Sequence, residues 1–239
     1  MIRPDLDDLA RMSENALRLI DPDDLAFYFA SGKSEGLIRD HIATFMHKNL
    51  SLSGPEYVTR EWKRHDLAVI YEDEPLVLIE GKSWIYHDAH RKSKLLTDKN
   101  SILNGALRDA KKLIEAKKRF DLTEIYISTI LYGVDTSMNH ERSKMGVTYY
   151  DSHVQGIKSA GNFHDLNGIG RSHLTQLHQA FGTTKRFPLR AGRYHGMRVE
   201  ADVFITRIEN SFTVIHQEVT HVDWQGVAEL NPNRASLGI

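Results

Sequence analysis

Four consecutive apolar residues, Leu76-Val77-Leu78-Ile79, run directly into Glu80-Gly81-Lys82. An unbroken apolar run of this length, entered through the polar turn Glu72-Asp73-Glu74-Pro75, is the pattern of a strand buried on both faces in the middle of a sheet. Such a strand has no folding reason to end in Glu-Gly-Lys. It therefore fixes both a fold class and a place to look for chemistry. The runs at 57–62 and 66–71 read as two further strands with Lys63-Arg64-His65 at or near their junction, and 125–131 as a fourth. Between them, Ile102, Leu103, Leu107, Ala110 and Ile114 recur at helical spacing within 101–118. The expectation is a small mixed α/β domain.

The chain opens with helical periodicity. Leu6, Leu9, Met12, Ala16, Leu17 and Ile20 share one face, and Asp21-Pro22-Asp23-Asp24 ends that helix and caps another. Ser34 begins a third, with Glu35 in its first turn and Ile38, Ile42, Phe45 and Met46 as its apolar stripe, ending by Ser53-Gly54-Pro55. After 132 the pattern weakens. A helix is expected over 166–182, opened by Gly168 and Gly170, and then a hairpin pairing 198–207 with 212–222. This divides the chain into a core over 1–135 and a C-terminal extension over 136–239, packed on that core.

Composition removes several alternatives. There is no cysteine, which excludes disulfide frameworks, thiolate catalysis and cysteine-based zinc sites, and suits a reducing cytoplasm. No apolar run reaches bilayer-spanning length, and the acidic, amphipathic N-terminus is unlike a signal peptide, so neither a membrane nor export is expected. The formal net charge of −1 hides an asymmetry. Residues 91–119 carry ten Lys and Arg against three Asp and Glu, and 185–198 carry five with no acid. Either stretch is a solvated face or a phosphate-binding surface. Thirteen histidines include no i, i+4 pair enclosing a catalytic Glu, so no zinc-protease signature exists.

Asp66 heads one strand and Glu80 and Lys82 leave the next. Alternation puts Glu80 and Lys82 on one face, with Gly81 between them. Two carboxylates and a backbone carbonyl are hard oxygen ligands suited to Mg²⁺. A lysine beside such an ion can orient and help deprotonate water and offset phosphate charge. The ordered set resembles the PD-(D/E)XK nuclease superfamily, the restriction-endonuclease-like fold, over about 34–131, with His65-Asp66 for Pro-Asp and Glu80-Gly81-Lys82 for (D/E)XK. The resemblance implies a central mixed sheet flanked by helices, Asp66, Glu80 and the Gly81 carbonyl as metal ligands, and Lys82 serving the water. Glu35 matches the acidic residue that many members place on the preceding helix, although a first-turn carboxylate against the helix dipole would look the same.

Leu166-Asn167-Gly168-Ile169-Gly170 is similar to the hairpin of helix-hairpin-helix DNA-binding motifs, in which glycines let backbone N–H groups approach phosphate. These readings give a DNA endonuclease using Mg²⁺, with Mn²⁺ a possible substitute. DNA would be held by Arg91, Lys92, Lys94, Gly168, Gly170, Arg171, Lys185, Arg186, Arg190 and Arg193, and Trp84 could stack on a base. A restriction or phage-defence role, a repair nuclease, an RNA-directed nuclease and a catalytically silent DNA-binding or assembly protein remain open. Cutting both strands would be simplest for a homodimer.

Overall fold

The computed structural model describes residues 3–30, 34–50, 56–89, 101–120, 123–135, 163–194 and 197–209. Three helices come first: α1 (Leu6–Arg18), α2 (Pro22–Ala30) and α3 (Ser34–Asn49). The Asp5 carboxylate caps α1 by accepting the Asp8 N–H at 2.8 Å. Asp7 and Asp8 in its first turn and Arg18 in its last complement the helix dipole.

Strands β1 (Glu56–Trp62), β2 (His65–Tyr71) and β3 (Glu74–Ile85) follow as an antiparallel meander. Its two loops, Lys63-Arg64 and Glu72-Asp73, hold all four residues at positive φ. This is what two-residue hairpin loops of the primed type require, achieved here without glycine. A short helix α4 (Tyr86–Ala89) and the long α5 (Ile102–Lys117) lead to β4 (Glu124–Asp135), which lies parallel to β3. The helix α6 (Phe163–Phe181) runs straight into β5 (Gly182–Tyr194), and β6 (Met197–Ile208) closes the described fold.

The six strands form one mixed sheet in the order β1-β2-β3-β4-β6-β5. Alternation sorts their side chains into two cores. Val77 and Ile79 join Leu9, Leu17, Phe29, Ile38 and Met46 beneath α1 to α3. Leu78 joins Tyr86, Leu103, Ala110, Leu113, Leu174 and Phe181 beneath α4 to α6. The molecule is thus helix, sheet, helix in layers, with Leu76–Ile79 at its centre as the apolar run requires. Among the described residues no helix is long and apolar enough to cross a membrane.

The C-terminal half departs from the expected pairing. Residues 198–207 pair with β5 on one side and β4 on the other. With both edges of β6 occupied, the expected hairpin partner at 212–222 has no edge there, and that run lies outside the described residues. The basic stretch 185–198 is largely strand β5. Phe187, Leu189 and Ala191 point into the first core, Arg186 and Arg190 alternate to the opposite face, and Lys185, on the first-core side, reaches Asp7 of α1. The segment therefore contributes two strands to the central sheet itself.

Candidate active site

The β2–β3 ladder reaches Leu67–Ile79 and goes no further. Just beyond it, the Asp66 carboxylate accepts the Gly81 N–H at 2.8 Å. Asp66 Oδ1 stands 3.7 Å from the Arg39 guanidinium on α3, which also binds Asp40 and Glu61. Glu80, almost fully buried, turns toward α5. Its Oε1 lies 2.7 Å from His65 Nδ1 and 2.5 Å from Lys112 Nζ. Lys112 also donates to the Arg64 carbonyl in the β1–β2 loop, tying that loop to α5.

Lys82 occupies the middle of the constellation. Its Nζ is 3.1 Å from the Gly81 carbonyl, 3.5 Å from Asp109 Oδ2 on α5 and 3.8 Å from Glu35 Oε1 on α3. The other oxygen of Glu35 accepts the Ser83 N–H at 3.4 Å, so the first turn of α3 is fastened to β3. Asp109 Oδ2 is buried without a hydrogen-bond partner among the described residues; its approach to Lys82 is an ion pair without hydrogen-bond alignment. A cleft opens on the α3 side, walled by Glu35, Arg39, Asp66, Gly81, Lys82, Ser13 and Ser128 over a floor of Ile38, Ile42, Leu67, Ile79, Ile130 and Ile205.

The charges explain one another. Burial works against the Lys82 ammonium, but Asp109, Glu35, Asp66 and Glu80 outweigh it and hold the group above the ordinary lysine range. Burial pushes the Asp109 carboxyl up to about 6, with Glu80 and Asp66 adding to the rise and Lys82 opposing it. Lys82 is therefore charged at neutral pH, and four carboxylates on four elements, α3, β2, β3 and α5, surround it.

Of the residues expected from sequence, Asp66, Gly81, Lys82 and Glu35 share the cleft, while Glu80 is held behind β3 by His65 and Lys112. Among the described residues no three His, Asp or Glu side chains group closely enough to ligate one ion. Asp66 and Gly81 line the cleft, whereas Glu80, engaged by His65 and Lys112, does not share it with them, so the expected set of three oxygen ligands is not assembled around one point. Asp109 Oδ2 already has the Lys82 ammonium as its cation. Asp109, Lys112, His65 and Arg39 are additions that sequence reading missed. Asp109 and Lys112 sit three apart on α5, which makes them neighbours on one helix face, but their charges look like any solvated face.

The expected DNA contacts fare unevenly. Arg91, Lys92 and Lys94 lie outside the described residues. Gly168 and Gly170 do not open a helix: α6 begins at Phe163, so their N–H groups fall within the helical hydrogen-bond ladder and cannot cradle a phosphate. Gly170 instead permits close packing, since a Cβ there would meet the Tyr86 carbonyl at 3.0 Å and Ala89 at 3.3 Å. Lys185 pairs with Asp7, whereas Arg171 and Arg186 both bind Asp202. Arg190 and Arg193 are exposed. The Trp84 ring packs on Gly105 of α5 and is not a free stacking platform.

Compared with family models, curated proteins and solved structures, the chain matches none.

Proposed function

We propose that this chain is a divalent-metal-dependent nuclease of the PD-(D/E)XK type, with a restriction-endonuclease-like core, that hydrolyses phosphodiester bonds in DNA. The observation that carries the reading is one lysine enclosed by Glu35, Asp66, Glu80 and Asp109 where β2 and β3 part. A group of like charges costs stability and is not needed to close this sheet; it suits a site that draws in a cation and a phosphate. Mg²⁺, or Mn²⁺ in its place, would be held from the cleft by Asp66 and the Gly81 carbonyl, with Glu80 joining them once released from Lys112. When bound it would lower the pKa of its water and polarise the phosphoryl group.

The chain's own groups then have distinct roles. Lys82, charged in the resting protein, stabilises negative charge developing on the phosphate rather than abstracting a proton. Glu35 and Asp109 hold its ammonium from opposite faces of β3. Arg39 steadies Asp66. Exposed arginines on β5 and β6 bind the DNA backbone, with the steep salt dependence such contacts bring. Cutting both strands calls for two such sites, which a homodimer supplies.

One observation favours a second reading. Glu80 is already neutralised by Lys112 at 2.5 Å, as in a silent relative that binds DNA without turnover. Plasmid nicking with Mg²⁺, Mn²⁺ and EDTA separates the two. The nuclease nicks with either ion and not with EDTA, and Lys82→Ala loses at least 100-fold in rate while DNA binding stays within twofold. Should neither form cut under any metal, the catalytic reading is wrong and the binding protein stands.

A further inference from the structure

Asp202 is fully buried on β6, on the sheet face that carries Glu80 and Lys82, yet it is shared by two arginines. Arg186 of β5 grips Oδ1 through both Nε (2.9 Å) and Nη2 (2.6 Å). Arg171 of α6 donates from Nε to Oδ2 at 2.7 Å, and its Nη2 lies 3.4 Å from the hydroxyl of Tyr86, which itself donates to Oδ2 at 2.6 Å. One carboxylate cannot neutralise two guanidiniums, so the cluster keeps a surplus positive charge. Both arginine side chains remain about a third exposed, at 34% and 39%. Among the described residues neither Nη1 has a partner, which leaves N–H donors for an outside acceptor.

The arrangement is rigid where a solvated arginine would not be. Asp202 is pinned from three directions, each guanidinium is fixed in orientation by it, and Tyr86 directly follows β3. Asp202 pairs with Leu131, and Leu131 with Trp84, two residues past Lys82. Two strand spacings across and two residues along put the backbone of Asp202 roughly 12 Å from that of Lys82. Arg190 and Arg198 extend the same outward face of β5 and β6, offset only by Glu200 and Asp202.

We infer that Arg171 and Arg186, oriented by buried Asp202, form a phosphodiester clamp that holds a nucleic-acid backbone on the α6 side of the sheet, the face opposite the α3-side cleft. A carboxylate that fixes two guanidiniums spares the side-chain ordering that phosphate binding otherwise costs, and guanidinium geometry favours phosphate oxygens bidentately. This rests on the nuclease reading for its substrate, but binding is separable from cutting.

The test is fluorescence anisotropy with a labelled 24-base-pair duplex in Ca²⁺, over a salt series from 50 to 200 mM, on the full chain. Arg186→Gln and Arg171→Gln should each weaken binding at least fivefold at 100 mM salt and reduce the slope of log K against log salt by about 1. Arg186→Lys, which keeps the charge, should preserve the slope and still lose affinity; it also covers a Gln variant that fails to fold, as judged by circular dichroism. Affinity and slope equal to wild type in the folded variants would make the cluster a structural ion pair and overturn the clamp. Wild type that binds in this way but never nicks plasmid with Mg²⁺ upholds the clamp and ends the nuclease reading alone. Wild type that does not bind the duplex at 50 mM salt overturns the clamp.

Discussion

Relative to wild type, Asp109→Asn should gain stability as the pH is raised from 4 to 8. In the native state burial pushes the Asp109 carboxyl from the ordinary 3.8 up to about 6. Between those values the native protein retains a proton that the unfolded chain has lost. Stability from this group is therefore fully present below pH 3.8 and is lost as pH rises through about 6. At about 1.4 kcal/mol per tenfold change in ionisation, the cost at pH 8 is about 3 kcal/mol. Asparagine has nearly the shape of the protonated acid and cannot ionise, so it escapes this cost. Any offset from its buried amide is the same at every pH. Urea unfolding of both proteins at half-unit intervals from pH 4 to 8 gives the difference in stability directly. The difference should climb through pH 4 to 6 by about 3 kcal/mol in favour of the variant and level off above pH 7. A difference that is flat with pH, or that falls, would refute the placement of Asp109 as a buried carboxylate beside Lys82. The same variant should nick DNA more slowly, because Lys82 loses the partner that holds it on the α5 side.

Other expectations follow from the packing. Lys112→Met removes a cation from buried Glu80 and should cost about 2 kcal/mol without divalent ions, below the usual value for a buried pair because Lys112 is a third exposed. Millimolar Mg²⁺ should then raise its melting temperature more than it does that of wild type, and an equal effect on both would count against Glu80 as a ligand. Gly168→Ala should stabilise by about 0.5 to 1 kcal/mol, seen as a rise of about 2 °C, since the position is exposed, helical and has nothing within 4 Å of an added Cβ. Unchanged DNA affinity in that variant is also expected, and a tenfold loss would revive a phosphate role for this turn. Gly192→Ala should destabilise by more than 2 kcal/mol in chemical unfolding, because φ is +47° and a Cβ would sit 2.5 Å from the Pro22 carbonyl carbon.

Much of the layered fold was legible in local pattern. The apolar run at Leu76–Ile79, the amphipathic stripes of α1, α3 and α5, and the turn at Glu72-Asp73 each state their own structure within a dozen residues. Strand β5 was also written in the alternation of Phe187, Leu189 and Ala191, but its arginines drew attention to charge instead of period. The glycines of α6 misled because a helix tolerates glycine where another element packs close, as Tyr86 and Ala89 do at Gly170.

By itself the sequence marked Asp66 at a strand end and, by alternation, put Glu80 and Lys82 on one face, but β3 does not end there as expected: it runs on to Ile85 beside β4. Only the tertiary structure decided what surrounds them. It brought Asp109 and Lys112 from α5, Glu35 and Arg39 from α3 and His65 from the neighbouring strand against Glu80, Gly81 and Lys82 in the body of β3, and gave Arg171 and Arg186 a common carboxylate. The physical reason is range. Periodicity and turn chemistry act between neighbours in the chain, whereas Coulombic partners and buried hydrogen bonds act through space between residues whose separation in sequence carries no signal.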